Sequence, residues 1–331
     1  IQYGGAPKYQ LDVEYLEPES RNQIDREFHP MVFQYGNEFA MDVDILSNAR
    51  LDIDNDLYTY TLGIHSPGAY GIGLIFDDFN LTENSELYLY DRELTMYFGK
   101  FDSQNNKPTS VFPTSIIKSD YVIIELTVPQ NEVEDVRLNL GSIIHDYTDI
   151  MGYYTLESES NREDCNENVA CYEGQGYDDQ INGTIRVTMG GGLCSGSIIN
   201  NTLNDRTPYV LFADHCVSGS ASSYVFLFNY QASTCTGTSG PENQSVSGST
   251  LLSSADINSG PDYALLEMTS NIPDSYNPFY VGWSRVNNAP QEAIGIHHPG
   301  ADIKKISFTN DTVSAGGTGG YYWEFQYDSG R

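Results

Sequence analysis

The sequence predicts an all-β protein, an N-terminal β-sandwich followed by a second β-rich domain, and three observations carry that expectation. Tyr (25) and Gly (30) are abundant while Lys and Arg together number only 16, a balance that favours pleated strands and tight turns over surface helices. Apolar residues alternate with polar ones in short runs, and no long stretch repeats them at helical spacing. Turn-forming clusters rich in Gly, Pro, Asn and Ser separate those runs.

The elements follow in order. Between 33 and 150, strand-like runs fall at 58–64, 70–76, 86–90, 95–98 and 121–128, divided by Ser66-Pro67-Gly68 and by the polar stretch 102–108. This part contains no cysteine. Residues 154–164 are polar and charged with nothing to bury, and read as a linker. The expected division is therefore a sandwich domain over 1–153, a linker over 154–164 and a second domain over 165–331. Within the second domain the expected strands are 185–189, 194–199, 208–212, 224–230, 263–268, 293–297 and 321–327. Loops rich in Gly, Ser and Thr join them at 234–249 and 314–320. The only helical feature expected is a short turn after Asp256.

Composition narrows the function. A net charge of −30 excludes a nucleic-acid partner, which requires a basic footprint, and serves solubility instead. No apolar run is long enough for a membrane-spanning helix. The first residue is Ile rather than Met, which predicts processing. All five cysteines lie between 165 and 235 with no C-x-x-C pair, so disulfides rather than zinc are expected, in a secreted or cell-surface protein. An odd count means that one cysteine pairs outside the sequence.

His215 is the leading candidate for chemistry. The apolar run Tyr209-Val210-Leu211-Phe212 leads through Ala213-Asp214 into His215 and Cys216, and a second cysteine, Cys194, heads an upstream strand. A catalytic base must be held in one tautomer and one orientation, and covalent anchoring beside it provides that. Asp262 begins the strand 262–268 after a Gly-Pro turn, where a carboxylate is half-buried and can accept from the histidine ring. Asp256 competes for that role but reads as a loop residue. Ser329, Ser195 and Ser197 are rejected as nucleophiles, the first for its place at the end of the sequence, the others for lying on the cysteine-bearing strand. His297 and His298 are adjacent on a strand and so face opposite ways, which argues against a shared metal. No metal or cofactor is expected.

At these residues the chain resembles bacterial secreted trypsin-like serine endopeptidases of the lysyl endopeptidase type. The likeness runs through C-N-E-N-V-A-C from 165, C-S-G-S-I-I-N-N-T from 194, Y-V-L-F-A-D-H-C from 209, F-N-Y-Q-A-S-T-C from 228, P-D-Y-A-L-L-E-M from 261, V-G-W-S-R from 281, A-I-G-I-H-H-P from 293 and then K-K-I-S. It implies a chymotrypsin-like double β-barrel, incomplete at its C-terminal end, that cleaves protein or peptide substrates after Lys or Arg. His215 would be the base and Asp262 its orienting acid. It also implies bridges Cys194–Cys216 and Cys171–Cys235, with Cys165 joined to a cysteine beyond the sequence. The family's Ser lies in a Gly-rich loop after a stretch similar to 323–330, so the chain stops before its nucleophile and alone would be inactive. The acidic residue that selects Lys lies beyond the same point, so a Lys preference does not carry over.

Residues S-P-G-A-Y-G-I-G-L-I-F-D-D-F-N-L from 66 and F-P-T-S-I-I-K-S-D-Y-V-I-I-E-L from 112 are similar to the β-rich pro-region preceding these proteases in Bacteroidetes precursors. That implies a zymogen or a nicked two-chain molecule, with a disulfide-linked C-terminal fragment as partner. Two departures support the alternative of an inactive pseudoprotease serving a cell-surface complex. Phe212 stands where the family has a small hydroxyl residue, and Asp214 places a charge just before the histidine.

Overall fold

The structure is a computed structural model, and it describes residues 15–17, 32–152, 166–316 and 320–330. The expected linker 154–164 and Cys165 lie outside the described residues. The chain forms two compact units. The first comprises Ile1–Asp25 and Gly36–Asp149, the second Arg26–Tyr35 and Ile150–Arg331. The second unit thus takes in a segment from the N-terminal side as well as the C-terminal half.

Two short strands come first, β1 (Tyr15–Leu16) and β2 (Phe33–Gln34), the latter belonging to the second unit. The first unit continues with β3 (Gly36–Asp44), β4 (Arg50–Asp54), β5 (Leu57–His65), β6 (Gly71–Asn80) and β7 (Glu86–Asp91). It closes with β8 (Tyr97–Phe101), β9 (Phe112–Pro113), β10 (Tyr121–Pro129) and β11 (Arg137–Asp146). One sheet runs β1-β5-β10-β7-β8 with β4 also on β5, and the other runs β3-β11-β6-β9. Their inward residues meet in one core: Leu62 and Ile64 from β5, Val122, Ile124 and Leu126 from β10, Leu74 and Phe76 from β6, Ile143 from β11. The period-two alternation of β10 and β7 is what makes this a sandwich. Among the described residues of this unit the one α-helix, α1 (Ile45–Asn48), is a single turn capped by the Asp44 carboxylate, which accepts from the Ser47 N–H.

The second unit is built on one curled antiparallel sheet. Its strands are β12 (Glu167–Asn168), β13 (Thr184–Met189), β14 (Gly192–Ile199), β15 (Tyr209–Phe212) and β16 (Val225–Leu227). They continue through β17 (Ser245–Ser247), β18 (Ser249–Ala255), β19 (Tyr263–Met268), β20 (Ala293–His297), β21 (Lys305–Thr309), β22 (Ser314–Gly316) and β23 (Tyr322–Glu324). The main sheet has the order β17-β16-β13-β14-β15-β19-β18, with β2 added on β14. Ile185, Val187, Ile198, Val210, Phe226, Ala264 and Leu266, from strands all along that order, share one core, as expected of a sheet curled into a half-barrel. A smaller sheet, β12-β21-β20, and the hairpin β22-β23 complete the unit. The fold is all-β, and the curled sheet is that of a chymotrypsin-like barrel. Helix α2 (Asp178–Gly183), which the sequence reading did not anticipate, packs Ile181 against Val169 and Ile306.

Candidate active site

Sheet register brings the two leading residues together. Strands β15 and β19 run antiparallel with Phe212 opposite Ala264. Continuing that register past the end of β15 puts Asp262 level with the residue before His215. The chain then leaves the sheet in a 3₁₀ turn over Asp214–Cys216, held by Cys216 N–H to the Ala213 carbonyl and Val217 N–H to the Asp214 carbonyl. This turn swings His215 back over Asp262.

His215 gives Asp262 two hydrogen bonds. Its ring Nδ1 lies 2.7 Å from Oδ2, and its backbone N–H donates to Oδ1 at 3.0 Å. A carboxylate can only accept, so Nδ1 carries the proton of this bond, and in the neutral ring the lone pair is then on Nε2. Among the described residues no hydrogen bond reaches Nε2. The side chains are 21% and 11% exposed, so the pair is shielded from water without being sealed from it.

Asp262 stands at a positive φ of 45°. Asp tolerates this left-handed conformation better than most residues, but it still costs about 1 kcal/mol. The surroundings hold it there. The Tyr322 hydroxyl reaches the Ile257 and Gly260 carbonyls, at 2.7 and 3.0 Å, and pins the loop that delivers Asp262 to β19. Asp256 is spent within the same loop, its carboxylate accepting from the Asn258 N–H at 2.7 Å.

Covalent anchoring comes from Cys194 on β14, which is bonded to Cys216 beside the histidine. Cys171 is bonded to Cys235, and both bridges are those that the resemblance implied. The sulfurs of Cys194 and Cys216 lie within 4.8 Å of a His215 ring nitrogen, but they are joined to one another and leave the histidine as a single ligand. Phe212 points into the core against Tyr224, with ring centroids 6.4 Å apart. Its bulk lies on the core side, and the His215–Asp262 bond is made beside it.

The remaining candidates are held elsewhere. The Ser195 hydroxyl accepts from the His298 N–H at 2.8 Å, Ser197 is paired within the sheet, and Ser329 bridges to Phe308. His297 stacks on Tyr327 and His298 on Tyr230, so the two rings go to different neighbours. Burial holds both rings below the ordinary imidazole range, His298 well below it. The His298 Nδ1–H donates to the Asp302 carbonyl at 3.0 Å.

The second unit also holds a group of buried cations that the sequence reading did not single out. Arg186 places its guanidinium 4.1 Å over the Tyr230 ring and donates to the Ala301 carbonyl. Lys304 donates to the Ile181 carbonyl at 2.7 Å, and burial lowers its ammonium to about 7. Lys305 bonds Asn168, whose amide donates to the Cys235 carbonyl, tying the smaller sheet to the second disulfide. Both lysines of the K-K-I-S motif are buried, Lys304 just before β21 and Lys305 at its first position.

Comparison with known proteins adds the family. A family model described as lysyl endopeptidase, C-terminal domain, matches residues 160–330. The chain belongs to that family. It is also similar to a lysyl endopeptidase from Pseudomonas aeruginosa, 27% identical over 233 residues, which is 65% of this chain and 48% of that protein. The chain thus spans about half the length of this curated relative. Family membership makes the second unit a protease-family domain, and the region matched contains His215, Asp262 and both disulfides.

Proposed function

We propose that this chain is part of a secreted serine endopeptidase in which His215 is the general base and Asp262 orients it. The observation that carries this is the double hydrogen bond from His215 to Asp262, with the Cys194–Cys216 bridge alongside. Two bonds to one carboxylate fix ring tautomer, ring direction and backbone together, which an incidental surface His–Asp contact does not do. Family membership points the same way.

In the proposed reaction a serine hydroxyl, contributed by sequence outside these 331 residues, attacks the peptide carbonyl while His215 Nε2 takes its proton. The imidazolium, stabilised by Asp262, then protonates the departing amine. Water repeats the sequence on the acyl-enzyme and releases the acid. The disulfides and the secreted character of this reading agree on an oxidising, extracellular compartment. Among the described residues no helix is long and apolar enough to cross a membrane. The first unit is read as the pro-region of the precursor, and the residue preferred before the cut bond as Lys or Arg.

The test is labelling of the full-length protein with a fluorophosphonate, which reacts only with a serine activated by its base. Labelling that His215→Ala abolishes supports the proposal. A protein that folds with both disulfides and takes no label, either intact or after limited proteolysis between its two units, overturns it, and leaves the protease-like unit as a binding subunit of a surface complex.

A further inference from the structure

The edge of β14 nearest His215 is already occupied by a strand from the N-terminal side of this chain. On one edge of β14, residues 192–197 pair with β13. On the other edge β15 covers only 197–199, because the chain turns away after Phe212 to present His215. The stretch of that second edge left free by β15, from Gly192 to Gly196, passes through Cys194. Cys194 is bonded to Cys216, and its sulfur lies within 4.8 Å of a His215 ring nitrogen.

Strand β2 lies on this stretch. It runs antiparallel with Gln34 opposite Gly192 and Phe33 opposite Leu193, and the Tyr35 N–H donates to the Gly191 carbonyl at 2.8 Å. Val32 and Tyr35, at its ends, are 7% and 2% exposed, so the segment is seated rather than grazing the surface. A Cβ at position 192 would come within 3.1 Å of the Val32 side chain, so the glycine there lets the strand approach.

We propose that residues 32–35 form an autoinhibitory strand, holding the backbone edge beside His215 that an extended peptide substrate would pair with. What is inhibited rests on the endopeptidase reading above, whereas the strand exchange rests on the sheet geometry alone. Peptides that add to a sheet edge bind through main-chain hydrogen bonds, which are indifferent to sequence. An incoming peptide and residues 32–35 would therefore use the same groups, and only one can pair at a time. The resident strand has the advantage of attachment, which gives it an effective concentration of the order of millimolar. Release requires cutting or displacing the segment that carries it.

The experiment compares the full-length protein with Tyr35→Pro, which removes the donor to Gly191, and with Val32→Lys, which cannot seat on Gly192 if the first variant misfolds. The probe is a fluorescein-labelled peptide of residues 29–38, read by anisotropy, with amide exchange at 191–193 and casein hydrolysis measured alongside. Expected are probe binding at least about ten-fold tighter in the variants, faster exchange at 191–193 and a casein KM about ten-fold lower with kcat little changed. Equal probe binding in parent and variants overturns the inference, and if casein is still cleaved the endopeptidase reading survives that failure. Tighter probe binding in variants that, like the parent, cleave nothing supports the strand exchange and sinks the endopeptidase reading.

Discussion

Asp262 accepts both the ring N–H and the backbone N–H of His215, at 2.7 and 3.0 Å. The two bonds do different work. The backbone bond fixes where the histidine sits, and the ring bond fixes which nitrogen carries the proton. Asp262→Asn in the full-length protein keeps the size of the side chain but offers the ring an amide that can donate as well as accept. The expected result is a kcat lower by about 10³–10⁴-fold with KM changed little. Equal kcat in parent and variant would remove Asp262 from the mechanism.

Tyr322 tests whether the loop before Asp262 must be held. Its hydroxyl bonds the Ile257 and Gly260 carbonyls rather than His215 or Asp262. Tyr322→Phe leaves those carbonyls without that donor and lets Asp262 relax from its positive φ. We expect kcat to fall by about ten-fold with KM unchanged and the free energy of unfolding lowered by about 1 kcal/mol. A loss of stability without a change in kcat would make Tyr322 merely structural.

The Cys194–Cys216 bridge closes a loop of 22 residues. Chain-entropy arguments assign such a loop about 3 kcal/mol. Replacing both cysteines with Ala should lower stability by about that amount in chemical denaturation. It should also reduce activity beyond the loss of folded protein, because the 3₁₀ turn bearing His215 loses its tie to β14. Full activity per folded molecule would show that the sheet alone positions the base.

The His215–Asp262 pair was legible because each member is marked by its immediate neighbours: His215 by the strand before it and the cysteine after it, Asp262 by the turn before it and the apolar strand after it. Their meeting depends on one strand pairing, β15 with β19, and both strands carry strong apolar signals. Elements without such signals were missed. Strand β11 loses its alternation at a bulge between Leu140 and Ser142, so its core-facing residues pass from Leu138 and Leu140 to Ile143, out of step with a two-residue repeat. Strand β4 is exposed along its whole length and has no buried face to produce a pattern. Strand β2 is two residues long, and its partner β14 lies far along the chain, a pairing that no local rule reveals. Arg186 escaped notice because β13 is buried on both faces at that point, where a charged residue in an alternating run reads as the solvent side.

Lys304 offers a test of the fold that does not depend on catalysis. Its ammonium is buried, its one hydrogen bond among the described residues is to the Ile181 carbonyl, and desolvation lowers its pKa from 10.5 to about 7. Between those two values the unfolded chain holds a proton that the folded protein does not. The resulting destabilisation is complete below pH 7 and is relieved as the pH rises towards 10.5. Lys304→Met fills the same space with an uncharged side chain and removes this term, although the Ile181 carbonyl loses its donor. The variant should therefore be more stable than the parent at pH 6, by about 2 kcal/mol, with the advantage shrinking or reversing by pH 10. Urea denaturation of both proteins at the two pH values measures the difference directly. A variant that is less stable at pH 6 would mean that Lys304 is held by stronger partners than the Ile181 carbonyl, and that its proton is not lost near neutrality.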